Sequence, residues 1–495
     1  MTTVNWSEYA QRLTLPKQIF VAGRFTDATS GESLDVLNPS NGKLLGKIPQ
    51  CSAADVDSAV RAARAAFEDG RWSGMAPKER KKVMLRLAAL VEKHRDELAL
   101  IDTLSMGMPI AISTGYCIQW TINALEWYGE AIDKLYDEIA PTDKSVLALI
   151  TKEPIGVVGA VLPWNWPMGL LGWKVPPALA AGNSIVLKPD EQTSFSALRF
   201  AELTVEAGVP EGVFNVVTGG PEVGEAIGRH PDIDVVGFTG STEVGKLFLK
   251  YSGESNMKPV WTECGGKGPN IVFADAPDLD AAAQSAAFAI FLNTGQVCAA
   301  GSRLIVEETI KDQVVEKITA IGKQLAPNDP LQPQTMLGPL AKAAQLERVL
   351  GYIEVGRKDG AKLLTGGRRA RPDSGGYFVE PTVFDTVSSE MRIAREEIFG
   401  PVLSTLTFKT PEEAIRIANS TIYGLSGAIW TRDISKAHTF ARALRVGSVA
   451  INAYADDAHD ITVPFGGYKQ SGFGRDKSLH ALDKYVQLKT TWVKL

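Results

Sequence analysis

A chain of 495 residues, 45% hydrophobic and 22% charged, can bury large cores and should divide into more than one domain. A net charge of −5 and a pI near 5.8, with no cluster of Lys and Arg, exclude the electrostatic footprint of a nucleic-acid binder. Four cysteines (Cys51, Cys117, Cys264 and Cys298) and five histidines show neither a disulfide framework nor metal-ligand spacing, so a reducing compartment and no metal are expected.

The N-terminal stretch MTTVNWSEYAQRLTLPKQ carries charges and no apolar core, so it is not a secretory signal, and a cytoplasmic location is expected. Ser52 to Gly70 opens with Ser52 and Asp55 at capping spacing and repeats Val56, Val60, Ala63 and Phe67, which predicts an amphipathic helix. Pro77 starts a second, longer helix running toward Leu100. Asp133 to Lys152 is strand-like. Ile155 to Trp173 is uncharged over a length that could nominally cross a bilayer, but Pro163, Asn165 and Pro167 interrupt it. It reads as a buried strand entering an active-site loop, with no membrane partner.

From there short β-branched runs (Val157 to Leu162, Ser184 to Lys188, Phe214 to Val217, Val235 to Phe238) alternate with helical stretches near Pro176 to Ala181, Ser194 to Ala207 and Val223 to Arg229. Strand, helix, strand in this order predicts a parallel α/β fold. After Gly266 a second alternation begins, with helices near Leu279 to Phe291 and Ile310 to Leu325 and strands at Ser302 to Val306, near Leu363 and near Val402. The tail from Tyr485 to Leu495 is again strand-like.

Two features carry chemistry. Cys298 in FLNTGQVCAAGSR has small uncharged neighbours (Val297, Ala299, Ala300, Gly301) and nothing acidic beside it in sequence, as an accessible nucleophilic thiol requires. The β run ending at Gly240, followed by Ser241, Thr242 and Gly245, places backbone N–H groups and a helix dipole where they can hold a phosphate, although the GxGxxG spacing is absent.

Eight segments stand in a fixed order: PWN (Pro163 to Asn165), WKVPPALAAGN (Trp173 to Asn183), LKPDEQT (Leu187 to Thr193), GFTGSTEVGK (Gly237 to Lys246), ECGGK (Glu263 to Lys267), GQVC (Gly295 to Cys298), EEIFGPV (Glu396 to Val402) and PFGGYKQSGFGR (Pro464 to Arg475). In these the chain resembles the NAD(P)-dependent aldehyde dehydrogenase superfamily over nearly its whole length. The resemblance implies a Rossmann-type NAD domain in two parts (1–132 and 153–265), an oligomerisation hairpin (133–152), an α/β catalytic domain (266–475) and a C-terminal oligomerisation segment (476–495). A homodimer or homotetramer would follow. It also implies Cys298 as nucleophile, Asn165 with the Cys298 N–H as oxyanion donors, Glu263 as the base that hydrolyses a thioester, and Lys174 and Asp476 as a proton relay. Members that pass the acyl group to coenzyme A lack a glutamate at the Glu263 position, so a free acid is expected. For NAD it implies Pro163, Trp164, Lys188, Glu191, Gly240, Ser241, Gly245, Glu397 and Phe399, with the Glu191 carboxylate favouring NAD over NADP. The family usually has an aliphatic residue at Cys264 and Glu at Asp476.

For the substrate, Trp120, Trp166, Leu170, Trp173, Val297, Ala299 and Phe465 are expected to line an apolar tunnel, with Asp456, Asp457 and Asp460 at its mouth. The C-terminal segment resembles the branch that oxidises γ-glutamyl-aminobutyraldehyde and related ω-aminoaldehydes. That branch often carries an aspartate near Cys117, which this chain lacks. Aromatic or apolar aldehydes and ω-aminoaldehydes therefore stand nearly level, with a slight lean to the apolar class. A catalytically silent structural or binding protein of the same architecture is the alternative of another kind.

Overall fold

The computed structural model of the chain describes residues 4–454 and 460–495. Ser52 opens the helix Ala53–Glu68 as the sequence predicts: its hydroxyl accepts from Asp55 N while its own N–H donates to Asp55 Oδ2 at 2.7 Å. Val56, Ala59, Val60 and Ala63 are buried on one face. The long helix expected from Pro77 is two helices, Pro77–Lys93 and Arg95–Met106. His94, with φ −102° and ψ 18°, turns the chain between them, and its ring meets Glu97 at 2.9 Å. No glycine or proline marks that break in the sequence.

One sheet of eight strands runs, in spatial order, Gly472–Phe473, Val260–Glu263, Val235–Thr239, Val157–Val161, Ser184–Lys188, Phe214–Val216, Ile19–Val21 and Arg24–Thr26. Its five central strands are parallel and its edges antiparallel. Apart from the half-buried Trp261, these central strands are buried throughout, as a parallel sheet covered by helices on both faces requires. The chain leaves Val157–Val161 for Ser184–Lys188 on one side, then crosses from Phe214–Val216 to Val235–Thr239 on the other. This reversal leaves a crevice outside the carboxyl ends of the strands, which is where ligands bind in such folds.

A second sheet of seven strands carries Pro269–Val272 and Arg303–Glu307 near its centre and is parallel except at Lys362–Thr365. A third, antiparallel sheet pairs Val486–Lys494 with Val146–Pro154 over nine registered residues, with Glu138–Ile139 on the far side. Ile139, Leu488, Trp492 and Leu495 on this arm are exposed. The fold is thus α/β, with two main mixed sheets and a small antiparallel arm. Among the described residues no helix is long and apolar enough to cross a membrane.

Candidate active site

The strand Val157–Val161 ends at the crevice, and the next residues, Pro163 to Trp166, form the loop that enters it. Pro167 then starts the helix Pro167–Ala181, which is buried along its whole length and stopped by Gly182, whose φ of 100° suits the left-handed cap. Trp166, Leu170 and Trp173 share one face of it by their i, i+4, i+7 spacing. They line a cavity of about 550 Å³ together with Trp120, Asn165, Glu263, Val297, Cys298, Ala299 and Phe465. Residues far apart in sequence therefore meet at one wall.

Cys298 follows a loop that few sequences could hold. Asn293, Thr294 and Gly295 are successive left-handed residues, with φ of 49°, 57° and 71°. A Cβ on Gly295 would lie 2.1 Å from the Gly400 carbonyl, so glycine is obligatory there. The two strained non-glycine residues are fixed by hydrogen bonds: Asn293 Nδ2 donates to Asn165 O at 2.9 Å and Thr294 Oγ1 to Gly338 O at 3.0 Å. Asn165 Nδ2 donates to Gln296 O at 2.9 Å. One of its two amide protons is thereby used to orient the group beside Cys298.

The electrostatics correct one expectation. Acidic groups absent from the sequence around Cys298 are supplied by the fold, and burial together with Glu397 and Glu263 pushes the Cys298 thiol up to about 12. Glu263 ends the strand Val260–Glu263 and is buried, and neither of its oxygens meets a hydrogen-bond partner among the described residues. Burial, and then Asp476, hold it well above the usual carboxylate range. Asp476 is the opposite case. It is fully buried too, but Lys174 and Lys484 both bond to it, and their charges outweigh the cost of burial and hold it below the ordinary range. The structure brings Lys174 and Asp476 together as the relay reading requires, yet no hydrogen bond joins either of them to Glu263.

At the expected cofactor side, Gly240 and Ser241 line the same cavity, and the Ser241 hydroxyl caps the helix Thr242–Gly253 by accepting from Val244 N at 3.3 Å. Gly245 lies inside that helix, packed so that a Cβ would come 2.8 Å from Cys264 Sγ. Glu397 accepts from Gly266 N at 2.8 Å, and burial raises its carboxyl to about 7. Trp164 and Phe399 meet edge to face with ring centroids 5.3 Å apart. Lys188 and Glu191 do not line the main cavity. They stand beyond it at the carboxyl end of Ser184–Lys188, where Glu191 is paired with Lys342. The orphaned Thr239 Oγ1, the helix N-terminus and the Gly240 and Gly265 backbone together suit a polar dinucleotide.

Trp120 stacks on Trp166 with centroids 4.7 Å apart and on Trp173 at 5.5 Å, and Trp173 meets Phe465 at 4.9 Å. Cys117 is buried beneath this wall, 3.4 Å from Asp102 Oδ2, and burial raises the Asp102 carboxyl to about 6. Asp456 and Asp457 lie outside the described residues. Asp460 is exposed, and its carboxylate accepts from Thr462. Sequence reasoning missed Lys484, Lys342, Gln345 and Arg348. Gln345 donates to the Phe399 carbonyl at 2.7 Å and Arg348 to that of Glu397 at 2.7 Å, so both hold the EEIFGPV segment, and both line the cavity. No local signal marks them, because they lie on a helix with an ordinary polar face.

Residues 25–491 match the model of the aldehyde dehydrogenase family. A solved P. syringae AldA indole-3-acetaldehyde dehydrogenase mutant, in complex with NAD+ and IAA, is 54% identical, covers 99% of each chain and superposes with a TM-score of 0.98. The NADP/NAD-dependent aldehyde dehydrogenase PuuC of Escherichia coli is 48% identical over 99% of this chain and 98% of its own. The aminoacetaldehyde dehydrogenase of Pseudomonas aeruginosa is 47% identical over the same shares.

Proposed function

The chain belongs to the aldehyde dehydrogenase family and is an NAD(P)-dependent aldehyde dehydrogenase, and from that premise we propose that it converts aromatic and apolar aldehydes to free acids. The observation that carries the substrate class is the wall of Trp120, Trp166, Trp173 and Phe465 beside Cys298. Burying a phenyl-sized tail there gains roughly 25 cal/mol per Å². An ammonium tail would lose its solvation there and meet Lys477, whose Nζ already lies 5.6 Å from the Trp173 ring centroid and 5.7 Å from that of Phe465.

In this reading Cys298 Sγ adds to the aldehyde carbon while its proton passes to the ionised Glu263 carboxylate in the same cavity, because the resting thiol is protonated at neutral pH. The carbonyl oxygen becomes an oxyanion at the free Asn165 amide proton and the Cys298 N–H. NAD, when bound, would accept the hydride that leaves the aldehyde carbon as the oxyanion collapses back to a carbonyl. The acyl group is then a thioester on Cys298, and ionised Glu263 takes a proton from the water that releases it. Pro163, Trp164, Gly240, Ser241, Gly245, Glu397 and Phe399 are the residues proposed to hold the cofactor's phosphates and nicotinamide end, and Lys188 and Glu191 its adenosine ribose. The exposed apolar residues of the arm sheet support assembly into a homodimer or homotetramer, which light scattering on the purified protein tests.

Comparing kcat/KM for phenylacetaldehyde, hexanal and 4-aminobutyraldehyde decides the substrate class. The two apolar aldehydes should lead by about tenfold or more, or about 1.4 kcal/mol. A tenfold lead for the aminoaldehyde, removed by replacing Asp456, Asp457 and Asp460, would establish the ω-aminoaldehyde reading instead.

A further inference from the structure

The carboxyl end of Ser184–Lys188 holds more charge than the family segments account for. Lys342 Nζ lies 2.7 Å from Glu191 Oε1 and 2.8 Å from Asp190 Oδ1, and Lys188 Nζ is buried alongside, donating to Pro189 O at 3.2 Å. Two cations thus face two carboxylates. Lys342 comes from the other half of the molecule, where it precedes the helix Ala343–Lys358. Its backbone is anchored on both sides: Ala341 N donates to Gln296 Oε1 at 2.9 Å, and Gln345 holds the carbonyls of Ile398 and Phe399. The ammonium is therefore delivered to this spot by fixed structure. The Glu191 side chain remains 39% exposed, open to a ligand.

Burial of Glu191 works against its ionisation, but Lys342 outweighs it and keeps the carboxylate charged, while Asp190 and Glu191 together hold Lys342 protonated despite its own burial. A bare carboxylate at this place repels a 2′-phosphate. A carboxylate already paired with a lysine does not present that field, and the same lysine can turn to a phosphate as a charge-assisted donor.

We propose that Lys342 is a specificity-determining residue that opens the adenosine end of the cofactor site to NADP as well as NAD. The proposal rests on the reading that Glu191 faces the adenosine ribose. With NAD, the ribose hydroxyls take the Glu191 oxygens and Lys342 keeps Asp190. With NADP, Lys342 keeps Glu191 neutralised and gives one of its three N–H donors to the 2′-phosphate, assisted by Lys188.

Calorimetric titration of NAD and NADP into the unmodified protein and into Lys342→Met, Lys342→Arg and Glu191→Gln tests this without turnover. Lys342→Met should raise the Kd ratio of NADP to NAD by about tenfold or more, the size of one charge-assisted contact, and Lys342→Arg should keep the ratio near that of the unmodified protein. In the unmodified protein added KCl should weaken NADP more steeply than NAD, a readout that survives even if Lys342→Met does not fold. An unchanged ratio in Lys342→Met, equal weakening of both cofactors, or identical salt slopes would overturn the proposal and leave Lys342 as a tie between the two halves. If Glu191→Gln moves neither affinity, it is the ribose reading that fails, and the proposal falls with it.

Discussion

Glu263 and Asp476 are two carboxyl groups buried in the same interior, and the fold treats them oppositely. Asp476 has two lysines bonded to it and is held ionised, whereas Glu263 has no hydrogen-bond partner among the described residues and is held toward its neutral form. A paired buried charge fixes structure and resists titration. An unpaired one costs stability if it ionises, and burial raises its pKa so that, once ionised, it is a stronger proton acceptor. The carboxyl beside Cys298 is thus held toward its neutral form, and the one behind it is fixed by its two lysines.

The comparison can be broken at either end. The largest effect belongs to the wall: Cys298→Ala should lower dehydrogenase activity by at least about 10⁴-fold, as loss of a nucleophile does elsewhere, while NAD still binds in calorimetry. Appreciable steady-state turnover in that variant would remove the thiol from the chemistry. Glu263→Gln should reduce steady-state turnover by about 10²- to 10⁴-fold yet leave a first-turnover burst of NADH in stopped-flow absorbance. Its melting temperature should barely move, because an isosteric amide replaces a group that has no bond to lose.

At the other end, Asp476→Asn should cost about 3–5 kcal/mol of stability in denaturant titration, since Lys174 and Lys484 are left buried without their counter-charge. Loss of the burst rather than of stability would show that Asp476 acts in the chemistry directly. The smallest effect is that of pH. The folded pKa of Asp476 is depressed, so its stabilisation is present above the unfolded value of about 3.9 and is lost as acid is added below it. Glu263 has a raised pKa, so the fold loses its contribution as pH rises, while deacylation, which needs the ionised form, speeds up over the same range. A burst-normalised deacylation rate that does not rise with pH above the ordinary carboxylate range would contradict that assignment.

Much of this was legible in the sequence where the cause is local. The Ser52–Asp55 box and the β-branched runs of the first sheet act through neighbours a few residues apart, and the structure carries both, whereas the helix expected near Pro176 already starts at Pro167. The break at His94 was not legible, because the turn there is made without glycine or proline. The field around Cys298 was misread for a related reason: its sequence neighbours are uncharged, and the carboxyls that oppose the thiolate arrive on other strands and loops. Lys342, Gln345, Arg348 and Lys484 sit on surfaces that look like ordinary polar faces until the two halves of the fold close on them.

The stacked indoles have an optical consequence. Trp120 shares ring contacts with both Trp166 and Trp173, so three of the ten tryptophans form one electronically coupled group around a single member. Transition dipoles at such separations mix and give an exciton couplet in circular dichroism. Trp120→Phe should collapse it by removing the shared chromophore, and an aromatic aldehyde entering beside the rings should perturb it, so this enzyme carries its own spectroscopic label at the mouth of the reaction.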